Sequence, residues 1–69
     1  MVEVFKTDIR ELGISEIVLR KLHEHFPKYE VNFDLEDCDR ILRVEGNNVR
    51  PGEVIRILTD NGYYCEVLE

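Results

Sequence analysis

The chain has 69 residues, 43% of them hydrophobic, and 9 Lys+Arg against 15 Asp+Glu give a formal net charge of −6. This length allows one domain, which hides only about 60% of the surface its unfolded chain exposes, and the hydrophobic content separates it from disordered chains. The negative field disfavours nucleic acid and anionic membrane as partners, and no apolar run approaches the roughly 20 residues of a membrane span.

The opening "VEVFKTDI" alternates with period two, which predicts a first strand with Phe5, Thr7 and Ile9 on one face and Val2, Val4 and Lys6 on the other. "REL" and "GIS" then lead into a helix expected from Ser15 or Glu16 to about Phe26. Ser15 is read as its N-cap and Glu16 as the acid that complements the helix dipole. Ile14, Val18, Leu22 and Phe26 form an apolar stripe flanked by Ile17 and Leu19, and Pro27 ends the helix.

Val31, Phe33 and Leu35, then Leu42 and Val44, mark two alternating runs joined by Glu36, Asp37, Cys38 and Asp39, the pattern of a β-hairpin. Pro51 fits the first position of a second helix, whose apolar side is Val54, Ile55, Ile57 and Leu58. Gly62 supplies a left-handed stop, and "YYCEVLE" reads as a last strand with Tyr63, Cys65 and Val67 on one face. The order β-α-β-β-α-β with right-handed crossovers predicts an α+β, ferredoxin-like fold of one domain over residues 1–69. Its four-stranded antiparallel sheet has the order 4-1-3-2, with both helices on one face. The first βα loop, the hairpin tip and the loop before the last strand then share one end.

"VFKTDI", an apolar helix, "VNFDLED", "RILRVEG" and the closing "NGYYCEVL" together resemble the heavy-metal-associated domain, the small carriers of copper and other soft metals, along nearly the whole chain. The resemblance implies a metal loop after the first strand, where the family carries CxxC because a soft ion needs thiolates near a helix N-terminus. Aligning Ile9 with the apolar residue before that motif puts Glu11 and Ile14 at the positions of the two cysteines. A hydrocarbon has no lone pair and one carboxylate is a hard ligand, so metal carriage is not transferred to this chain. Ile14 instead extends the helix stripe by one turn.

The remaining chemistry is sparse. Cys38 and Cys65 lack metal-ligand spacing and read as free thiols, the first slowed by Asp37 and Asp39, the second a small core residue. His23 and His25 are two apart, which aims them at different sides of a helix. His23 faces solvent, and His25 falls near the apolar stripe, to cap or pack beneath Pro27. Asp34, Glu36, Asp37 and Asp39 lack the glycine and distal glutamate of a calcium loop. With no nucleophile beside a base, the chain is not read as an enzyme, and no cofactor is expected.

The leading expectation is a metal-free relative of the soft-metal carriers, working in the cytosol as an interaction module. Its acidic end, formed by Asp8, Glu11, Glu36, Asp37, Cys38, Asp39 and Asp60, docks on a basic protein surface. Two alternatives stand beside it. One is metal handling through Cys38, Glu11 and a histidine. The other is a small-molecule-binding regulatory domain that pairs weakly with itself through an open sheet face carrying Val2, Val4, Ile41 and Tyr64.

Overall fold

A computed structural model describes residues 1–34 and 40–68. The elements are β1 (Val2–Thr7), α1 (Leu12–His25), β2 (Glu30–Asp34), β3 (Ile41–Glu45), α2 (Pro51–Asp60) and β4 (Cys65–Val67). The strands form an antiparallel sheet of order β2-β3-β1-β4, which is 4-1-3-2 counted from the β4 edge.

The register explains which side chains are inside. Phe5 pairs with Leu42 and Val67, Leu42 with Phe33, and Val44 with Val31, so these residues share the face on which the helices pack. Phe5, Leu42 and Val44 meet Val18 and Leu22 of α1 and Val54 and Leu58 of α2 in a single core cluster. Each such side chain withdrawn from water contributes about 1.5–3 kcal/mol before entropy is counted. Ile41 points to the other face, opposite Lys6 and Asp34 in the register. It was expected to be open there but is only 6% exposed, because it sits in an inner strand flanked on both sides.

The helix ends show two different solutions. α2 begins with Pro51 in its first turn and Glu53 beside the positive end of its dipole. It closes with Gly62 N–H donating to the Thr59 carbonyl and Tyr63 N–H donating to that of Leu58, both at 3.0 Å, while Gly62 adopts φ +87°. That pair of bonds is the Schellman closure, for which glycine has no Cβ penalty.

α1 starts earlier than its sequence suggested. The N-cap is Glu11, in extended conformation (φ −104°, ψ 135°) and without a side-chain capping bond. Ser15 is not the cap. It is buried inside the first turn, where its hydroxyl donates back to the Leu12 carbonyl at 2.7 Å and its N–H donates to that of Glu11. Glu16 consequently lies beyond the first turn, which holds no acid. Ile14 and Leu19 pack on the core as the stripe required, whereas Ile17 is 50% exposed on the solvent side.

Candidate functional site

The end of the sheet at which β1 stops is organised by a hydroxyl. Thr7 is buried, its Oγ1 donates to the Arg40 carbonyl at 2.7 Å, and it accepts the Ile9 N–H at 3.2 Å. Its own N–H donates to the same Arg40 carbonyl at 3.2 Å. Bending back to reach Thr7 carries Ile9 inward, which is why Ile9 is buried although it lies past the strand. The same three bonds fix where the segment from Asp8 to Glu11 leaves the sheet.

Asp8 joins this segment to the loop between α2 and β4. Its carboxylate accepts the Tyr64 N–H at 3.0 Å, one register step beyond the Thr7–Cys65 pair. Tyr64 is exposed, and Glu66, first as a hydrogen-bond partner and then as a nearby charge, holds its phenol above the ordinary range. Asp60 is at this end too, exposed at the last position of α2 and 3.7 Å from Arg56 Nε. Glu11 is exposed as well. The structure thus brings Asp8, Glu11 and Asp60 to one end, with Arg10 exposed between the first two. The expected contributions of Glu36, Asp37, Cys38 and Asp39 lie outside the described residues.

At the two positions aligned with the family's cysteines, Glu11 is the helix cap and Ile14 leans on the core three residues later. Among the described residues, no group of three or more His, Cys, Asp and Glu comes together in a way that could hold a metal ion. Cys65 is buried in the core, and burial, with Glu66 next in the chain adding to it, pushes its thiol up to about 12. It is neither a nucleophile nor a ready soft ligand near neutral pH.

The histidines do not converge. His23 and His25 are both exposed. His25 was expected near the stripe, to cap or pack beneath Pro27; its Nδ1 donates to the Lys21 carbonyl at 2.9 Å, a capping contact at the end of α1, and its ring is 6.2 Å from Phe26. Near that end a shallow groove of about 350 Å³ runs along α2, lined by Glu53, Arg56, Ile57 and Asp60 with His25 and Phe26. It combines both signs of charge and an ion pair already satisfied within it.

Two contributors escaped the sequence reading. Thr7 was placed on the inward face, and a hydroxyl on that face must find partners; the signal was there, though the partner was 33 residues away. The Tyr64 backbone donor carries no signal at all in its side chain. No family model matches the chain, and no curated protein or solved structure is significantly similar to it. Fold and site together define an α+β domain of two helices on a four-stranded antiparallel sheet, and among the described residues no helix is long and apolar enough to cross a membrane.

Proposed function

We propose that this chain is a ferredoxin-like relative of the soft-metal carrier domains that works by protein contact, docking its acidic end on a basic protein surface in the cytosol. The observation that carries the reading is the use of the two ligand positions: Glu11 caps α1 and Ile14 packs on the core. A side chain committed to packing cannot turn out to a cation, and one carboxylate gives a soft ion little to prefer. The strand order supports the ferredoxin-like plan. The gathering of Asp8, Glu11 and Asp60 at one end supports the electrostatic one.

Native mass spectrometry after exposure to Cu(I), Zn(II) and Cd(II) separates this reading from metal handling. The expected result is no stoichiometric adduct for the natural sequence and a Cu(I) adduct for the Glu11→Cys/Ile14→Cys double variant. A retained ion that disappears in Cys38→Ser would instead establish the alternative ligand set. For docking, proteins captured at low salt should be released at high salt and lost when Glu36, Asp37 and Asp39 are reversed to lysine. Undiminished capture by that variant removes the acidic end from the account.

A further inference from the structure

We propose that Asn61–Gly62 is a self-modifying site: the peptide nitrogen of Gly62 attacks the Asn61 side-chain amide and expels ammonia, and the closure at the end of α2 holds this reaction back until it opens. The pair is the only Asn-Gly in the chain. Glycine matters because the nitrogen of the following residue must reach Asn61 Cγ, and a Cβ on that residue would hinder the approach. Asn61 and Gly62 are both exposed, and a Cβ built on Gly62 would meet nothing within 4 Å, so water and base have open access to this peptide.

The step balances without a redox partner. The Gly62 N–H gives its proton to solvent base, the N–Cγ bond forms, the Cγ–Nδ2 bond breaks, and the side-chain nitrogen leaves as ammonia. Water then opens the resulting five-membered succinimide at either carbonyl, to aspartate or to isoaspartate.

Three features of the closed end oppose the first step. Gly62 N–H donates to the Thr59 carbonyl at 3.0 Å, which retains the proton that must leave. Asn61 Nδ2 donates to the Ile57 carbonyl at 2.7 Å, which draws the amide back along the helix. Asn61 stands at ψ 8°, so Gly62 N is nearly eclipsed with the backbone nitrogen of Asn61, whereas a planar ring needs it eclipsed with Cβ. Fraying of the last turn releases all three together, because they share one short segment of backbone.

Reclosing does not undo the conversion. Either product replaces Nδ2, a donor, with a carboxylate that only accepts, and sets it against the Ile57 carbonyl at the negative end of the helix dipole, next to Asp60. Isoaspartate also routes the main chain through Cγ. That adds one backbone atom before the Gly62 nitrogen and displaces the Gly62 and Tyr63 donors from the Thr59 and Leu58 carbonyls. The loop from Gly62 to Tyr64 is left looser. No partner enters this chemistry, so it stands or falls apart from the docking proposed above.

The test incubates the intact chain at mildly alkaline pH beside a blocked synthetic peptide of residues 59–63, TDNGY, and follows both by mass spectrometry with mapping of isoaspartate. The expected result is conversion of the peptide at its asparagine and conversion of the folded chain at Asn61 at least about tenfold more slowly, in proportion to the open fraction of the last turn. Unfolding in urea restores the peptide's rate. Asn32, Asn47 and Asn48, followed by Phe33, Asn48 and Val49, stay intact over the same time. Asn61→Asp reproduces one product directly, and its Gly62 and Tyr63 amides exchange severalfold faster than the parent's while those of α1 do not change. Three results overturn the inference: equal rates in the folded chain and the peptide, conversion of Asn32, Asn47 or Asn48 ahead of Asn61 in urea, or a converted chain whose Gly62 and Tyr63 amides exchange at the parental rate.

Discussion

The ring of Tyr29 lies over Gly46, in the space a side chain there would fill: a Cβ on residue 46 would stand 2.7 Å from Tyr29 Cδ1. The ring is not free to retreat. It stacks on Phe26 at 5.0 Å and 20°, its hydroxyl donates to the Asn48 carbonyl at 3.0 Å, and that hydroxyl also accepts the Arg50 N–H at 3.3 Å. One aromatic thereby ties the end of α1 to the turn that launches α2.

Gly46→Ala should therefore destabilise the domain by about 1–3 kcal/mol, the range for forcing extra volume into a packed place. Urea unfolding measures it. Tyr29→Phe keeps the stack and loses the hydroxyl bonds, so its cost should be smaller, about 0.5–1.5 kcal/mol. If Gly46→Ala unfolds at the same urea concentration as the natural sequence, the clamp is not rigid.

Much of this architecture was legible beforehand, for a physical reason. Period-two runs and a period-3.6 stripe report burial directly, so Phe5, Leu42, Val18 and Leu22 found their places and the strand order followed. What failed were the ends of elements, where backbone donors choose among competing acceptors. Ser15 has the chemistry of a cap but spends its hydroxyl on the Leu12 carbonyl inside the helix. The last strand was expected from Tyr63 but begins at Cys65, since the Tyr63 N–H is taken by Leu58 and that of Tyr64 by Asp8. Neither acceptor is visible in the local sequence.

The position of the true cap yields a prediction in the stabilising direction. Glu11 has the backbone angles of an N-cap and makes no capping bond with its side chain. Glu11→Ser or Glu11→Asp supplies a shorter acceptor to the same conformation and should raise stability by about 1 kcal/mol. Ile14→Ala, by contrast, should lower it by about 1–2 kcal/mol, less than the about 2–5 of a fully buried site because Ile14 is half-buried. Paired unfolding curves decide both, and a Glu11→Ser variant no more stable than the parent would return the cap to another residue.

Asp8 has a structural duty in addition to its charge. Its carboxylate accepts the Tyr64 N–H across 56 residues of sequence, and the bond is exposed to solvent. Asp8→Asn keeps an acceptor and should be nearly neutral, whereas Asp8→Ala should cost about 0.5–1 kcal/mol, the low end for a single hydrogen bond. Faster exchange of the Tyr64 amide in Asp8→Ala, with the Cys65 amide unchanged, is the expected local signature.

Cys65 supplies the clearest pH dependence. Burial, and secondarily Glu66, raise its thiol from 9.0 to about 12 in the folded chain. Below pH 9 both folded and unfolded states hold the proton, and the contribution to stability is complete. Between pH 9 and about 12 the unfolded state releases the proton while the folded state keeps it, so stability falls as pH rises through this window. Cys65→Val removes the titration and keeps the apolar volume, and Cys38 and the tyrosines are common to both proteins. The natural chain should therefore lose more stability than Cys65→Val between about pH 8 and about pH 11. In a Cys38→Ser background, alkylation of Cys65 should be slow in the folded state and fast in denaturant. Parallel stability curves for the two proteins, or rapid alkylation without denaturant, would mean that the thiol is not held in the core.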